Sequence, residues 1–218
     1  MMSTIVLVTG IPRAGKTSLC NAIESSLRGF THIPLDRYVR PVPDSVTFLD
    51  WIASPSCIAW DTLRMHIALL EAGRPCYSPR PDWENGWTQW LCQGGSIADG
   101  LGRRMEPARV GYLIPGTHAF ALPDAIEATR VYVETPDVVV AERLTHTRVD
   151  PAQATRVLSE RLARNLEYVR SRLACADLVI DGTADSSGQV ARFFEFGAAR
   201  NWFSCVPHNN RMRRSESA

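Results

Sequence analysis

The chain has 218 residues, 45% of them hydrophobic and 22% charged, and a formal net charge of +1. That is apolar material for one substantial core, or one core with a small lid. The near-zero charge implies no broad electrostatic hold on nucleic acid or anionic membrane, and no apolar run reaches bilayer-spanning length.

The first predicted element is a strand at Ile5–Val8, a continuous aliphatic run of the kind buried on both faces of a sheet. It leads into Gly10-Ile-Pro-Arg-Ala-Gly15-Lys16-Thr17, which has the spacing G-x-x-x-x-G-K-[ST]. Leu19, Ile23 and Leu27 then give helical spacing, with Arg28-Gly29 as the stop. Strand, glycine loop and helix in that order are the context a phosphate cradle requires. Backbone N–H groups of the loop and the first helical turn would point at the phosphates, because a helix start carries unpaired donors and partial positive charge. The expected nucleotide site is therefore Gly10, Ile11, Pro12, Arg13, Ala14, Gly15, Lys16, Thr17 and Ser18, with Lys16 bridging phosphates and Thr17 binding Mg²⁺. Lys16 is the only lysine among 24 basic residues. A chain that uses arginine wherever positive charge suffices has kept a compact ammonium at this one place.

A second strand, Thr31–Leu35, ends in Asp36-Arg37-Tyr38. An acid at the carboxyl end of a strand lies on the edge where doubly wound sheets bind ligands. Phosphoryl transfer to an alcohol uses a carboxylate that orients the hydroxyl and accepts its proton, which makes Asp36 the first candidate base. The alternative is that Asp36 caps a turn or pairs with Arg37 or Arg40.

Residues 41–56 are rich in proline and serine, with Phe48, Leu49, Trp51 and Ile52 as a short amphipathic patch. A helix is predicted over Ile58–Ala72, with Trp60, Leu63, Ile67 and Leu70 on one face and Gly73 ending it. His66 within it reads as a partly buried structural histidine rather than a ligand. A proline-extended stretch leads to Trp83–Trp90, which holds three of the six tryptophans and runs into glycine-rich sequence. That segment reads as a ring-stacking acceptor pocket, as a satellite core, or as a homodimer interface.

Further strands are predicted at Val110–Ile114, Val131–Val133 and Asp177–Asp181, and helices at Val138–Leu144, Pro151–Leu173 and Val190–Phe196. Strands alternating with helices give an α/β three-layer sandwich, a parallel sheet covered on both faces. The tail from Pro207 is expected to be disordered. Among the cysteines Cys20, Cys57, Cys76, Cys92, Cys175 and Cys205 there is no C-x-x-C pair, there is no secretory leader, and Cys20 and Cys175 fall in apolar helical stretches. Reduced thiols in a cytoplasmic protein are expected rather than disulfides or zinc.

From about Ile5 to Thr183 the chain resembles the uridine kinase and phosphoribulokinase group of P-loop kinases. Leu35-Asp36-Arg37-Tyr38-Val39-Arg40 is similar to that group's strand-two segment, and Pro55–Gly73 with Pro79 and Asp82-Trp83 to its proline, helix, glycine and P-x-Y-D-F succession. Leu113–Phe120 and Ala176–Thr183 resemble its strand-and-glycine segment and its closing strand. The resemblance implies a P-loop NTPase fold with a five-stranded parallel sheet in a single domain over 1–206. An acceptor-side insertion at 83–108, a lid at 143–165 and a flexible tail at 207–218 would complete it. It implies a Mg²⁺-dependent kinase moving the γ-phosphoryl of ATP or GTP to a hydroxyl of a small molecule. Asp36 would be the base and, with Pro115 in place of the group's metal-holding acid, a metal contact beside Thr17. Arg143 and Arg148 would be lid arginines, and Tyr38, Asp82, Trp83 and Trp87 acceptor contacts.

The departures narrow this. Pro115 stands where the group has an acid before the strand-three glycine, Ala53 where its nucleoside kinases have an aspartate, and Pro81 where they have a tyrosine. Thr145-His146-Thr147 replaces the arginine pair of the lid. An acceptor other than ordinary uridine follows. The rivals are a nucleotide-binding module without transfer and a kinase acting on a hydroxylated base in DNA, with the 211–214 tail on phosphates. A GTPase switch is disfavoured, because a chain with one lysine has no N-K-x-D signature.

Overall fold

The computed structural model describes residues 3–79, 102–123, 126–145 and 167–203. All five predicted strands form. They are β1 (Thr4–Thr9), β2 (Phe30–His32), β5 (Gly111–Pro115), β6 (Thr129–Glu134) and β7 (Leu178–Asp181), joined side by side in the order β2-β5-β1-β6-β7. Every pairing is parallel. β1 lies at the centre, with Leu7 opposite Ile114 on one side and Arg130 on the other. That is why its residues are aliphatic without alternation: Val6 and Val8 have no exposed surface. β2 stops at His32, short of the predicted Leu35, because Pro34 offers no ladder N–H and Leu35 opens a 3₁₀ turn, Leu35–Tyr38.

The helices packed around the sheet are α1 (Lys16–Ser26), α2 (Phe48–Ala53), α3 (Trp60–Glu71), α4 (Asp137–Thr145) and α5 (Ser186–Ala199). α1 turns Leu19, Cys20 and Ile23 to the core and packs beside α5. Phe193 of α5 is fully buried, edge-on to Phe30 at 5.8 Å, and burial of such a side chain contributes about 2–3 kcal/mol. A separate antiparallel ribbon joins β3 (Cys76–Tyr77) to β4 (Arg104–Met105). Cys175 differs from its predicted helical setting; it is exposed in a 3₁₀ turn, Leu173–Cys175. No described helix is long and apolar enough to cross a membrane.

Candidate active site

The loop between β1 and α1 is shaped by its glycines. Gly10 has φ 149°, and a Cβ there would lie 2.5 Å from the Val133 carbonyl oxygen, so no larger residue lets the loop pass so close to β6. Gly15, the N-cap of α1, has φ 103°, and the non-glycine Arg13 is also left-handed at φ 67°. Below the loop, the fully buried Ala14 gives its carbonyl to Thr135 Oγ1 at 3.0 Å. Gly182 closes the same seam: a Cβ there would run into Thr135 Oγ1 and approach the Ala14 oxygen at 2.7 Å.

The start of α1 carries neither a side-chain cap nor an acidic residue in its first turn. α5, by contrast, is capped by Asp185, whose Oδ1 accepts from Gly188 N at 2.7 Å. An uncapped helix start fronted by a glycine loop is an anion site. Lys16 Nζ donates to the carbonyls of Gly10 at 3.0 Å and Ile11 at 2.9 Å, which holds the ammonium over the loop mouth. Arg143, on the last turn of α4, reaches the same place. Its Nη1 donates to the Arg13 carbonyl at 3.1 Å and its Nη2 to the Gly182 carbonyl at 2.7 Å.

Asp36 faces this loop across a cleft of about 670 Å³ lined by both. It is exposed, and among the described residues its side chain makes no hydrogen bond or ion pair, so the pairing with Arg37 or Arg40 does not form. Arg37 turns instead to Ser78 Oγ at 3.3 Å and the Pro79 carbonyl at 3.4 Å. Three contacts fix the turn that carries Asp36. Gly116 lies against Leu35, where a Cβ would come 2.5 Å from Leu35 Cβ. Val39 forms an antiparallel bridge with Ile58. Tyr38 is fully buried, with its hydroxyl 2.9 Å from His66 Nδ1. Burial drives the Tyr38 pKa well up and the His66 pKa down, so both stay neutral. His66 is thus the structural histidine expected. Tyr38, expected to touch an acceptor, is an anchor in the core, because its neighbours on α3 and β4 enclose its ring and hydroxyl.

Thr17 lines the cleft at the second residue of α1. Pro115 ends β5 opposite Val8, so the strand-end acid is absent, and no cluster of three or more His, Cys, Asp or Glu forms among the described residues. The oxygen donors of the Thr17 hydroxyl and the Asp36 carboxylate suit a hard cation that takes its other ligands from phosphates and water, as Mg²⁺ does. Asp82, Trp83, Trp87 and Arg148 lie outside the described residues, as do most of the expected insertion and lid and all of the tail.

Several cleft residues were not among the sequence candidates. Thr117 and His118 follow β5, and the Thr117 carbonyl accepts from Thr9 Oγ1 at 2.8 Å. Gln189 of α5 donates through Nε2 to the carbonyls of Asp181 at 3.1 Å and Ala184 at 3.0 Å, tying the β7–α5 loop beside the cradle. The Asp181-Gly-Thr183 end of the last strand was the available signal for this loop.

Two solved structures share the architecture. One is a candidate fructose transport system kinase from Silicibacter sp. TM1040, 16% identical, with a TM-score of 0.59 over 82% of this chain and 89% of that one. The other is a candidate uridine kinase from Bacillus stearothermophilus, 15% identical, with a TM-score of 0.53 over 83% and 90%. No family model matches the chain, and no curated protein matches it in sequence. At these identities the likeness shows the fold, and the fold is the P-loop kinase fold that the motif and the strand order imply.

Proposed function

We propose that this chain, which folds as P-loop kinases do, transfers the γ-phosphoryl of ATP or GTP to a hydroxyl of a small molecule with Mg²⁺. The observation that carries the reading is that an uncapped phosphate cradle and a carboxylate with no partner among the described residues line one cleft. The cradle amides and Lys16 bind the β- and γ-phosphates. Arg143 would neutralise charge on the transferred group, and Thr17 and Asp36 would hold the metal, which screens phosphate charge when bound. The acceptor oxygen forms a bond to the γ-phosphorus as the bond from that phosphorus to the β,γ-bridging oxygen breaks. ADP or GDP leaves, and the hydroxyl proton passes to Asp36. Arg148, Asp82, Trp83 and Trp87 keep the roles the resemblance implies, as lid arginine and acceptor contacts.

A panel of alcohols incubated with nucleotide labelled at the γ-phosphorus tests this, with labelled phosphomonoester as the expected product. The second reading, a binding module without transfer, is favoured by Pro115 in place of the strand-end acid. Mg²⁺-dependent nucleotide binding with no product from any alcohol would establish it.

A further inference from the structure

The two halves of the cleft differ in chemistry. The phosphate half consists of backbone amides and carbonyls with Lys16, Arg143 and hydroxyl groups. The opposite half is walled by Leu35, Val39, Ile52, Cys57 and Ile58, with Asp36, Thr117 and His118 as its polar members. The wall is built, not incidental, because separate segments are clamped together to make it. Arg40 N donates to the Cys57 carbonyl at 2.7 Å beside the Val39–Ile58 bridge. His118 is buried against the Tyr168 ring at a centroid distance of 5.3 Å, and its Nε2 lies 2.8 Å from the Ile52 carbonyl. A carbonyl can only accept, so Nε2 carries the proton and His118 fixes α2 as one side of the wall.

Resting on the kinase reading above, we infer that the acceptor is a neutral alcohol with an apolar or aromatic body that presents a single hydroxyl to Asp36. Burial of apolar surface against five apolar side chains would supply its affinity, and Asp36 would orient its hydroxyl. A polyhydroxylated sugar would lose water from several hydroxyls on a surface whose polar members among the described residues are Asp36, Thr117 and His118, an unfavourable exchange. A phosphorylated acceptor needs a cation, and no arginine or lysine lines this half among the described residues, Arg37 being turned to Ser78 and Pro79.

The test measures equilibrium binding of benzyl alcohol, a hexose and a hexose phosphate to the full chain with Mg²⁺ and a non-hydrolysable ATP analogue, and in parallel the transfer of label from ATP. Benzyl alcohol is expected to bind at least tenfold tighter than either sugar. Val39→Thr keeps the shape of the wall but adds a hydroxyl, and should weaken benzyl alcohol about tenfold with nucleotide affinity retained. Ile52→Val removes one methylene with no polar change, and a several-fold loss is expected there should Val39→Thr fail to fold. Tighter binding of either sugar, or no effect of the wall variants on benzyl alcohol, overturns the inference. Failure of the two ideas is separable. Benzyl alcohol binding that Val39→Thr weakens, with no labelled product from any alcohol of the panel above, supports the apolar pocket and removes the kinase reading. Label passing only to sugars keeps the kinase and removes the apolar acceptor.

Discussion

The phosphate half of the cleft and the acceptor half are made in opposite ways. The first comes from one contiguous stretch, Gly10–Ser18, in which backbone atoms bind and side chains chiefly permit the backbone its shape. The second comes from side chains of separate segments, around Val39, Ile52, Cys57, Ile58 and His118, none of which is meaningful without the others. Contiguous backbone chemistry leaves a motif; assembled side-chain chemistry leaves only composition. The phosphate half can accordingly be broken at single atoms, whereas the acceptor half should degrade gradually.

Three substitutions sharpen the contrast. Lys16→Ala removes the ammonium held over the loop mouth, and kcat/KM for the nucleotide should fall by about 10³ with weakened nucleotide binding. Steady-state kinetics check this, and a fall confined to the acceptor's KM would break the division. Gly182→Ala forces a methyl onto Ala14 O and Thr135 Oγ1 beneath the loop. Thermal unfolding should show a loss of about 2 kcal/mol, and titration a nucleotide affinity weakened while benzyl alcohol still binds. The smallest effect belongs to Tyr38→Phe, which deletes one buried hydrogen bond to His66 and should cost about 1 kcal/mol. Acceptor KM should not change; a rise of tenfold or more would return Tyr38 to the site.

The same division explains what the chain disclosed as a sequence. The cradle was legible because its glycines answer to backbone requirements that few other residues meet. Asp36 was legible because an acid ending a strand has no reason to be in a core. The apolar wall was not, since Ile52 and Ile58, at 6% and 3% exposed, pattern like any core residue and only the fold turns their edges to a cleft. Tyr38 misled for the complementary reason. Two residues after Asp36, it points another way, because in the 3₁₀ turn Leu35–Tyr38, with about three residues per turn, a two-residue step carries the side chain some two thirds of the way round the axis. β2 is shorter than its aliphatic content implies because Pro34 has no N–H to give the ladder.

Everything rests on Asp36 acting on an alcohol held beside a phosphate bound elsewhere. Measuring nucleotide affinity and turnover together for Asp36→Asn tests that directly, because the amide keeps the shape and an oxygen that can face the metal but loses the base. Nucleotide binding nearly as in the parent is expected, with kcat reduced by about 10²–10⁴. Turnover equal to the parent's would contradict it.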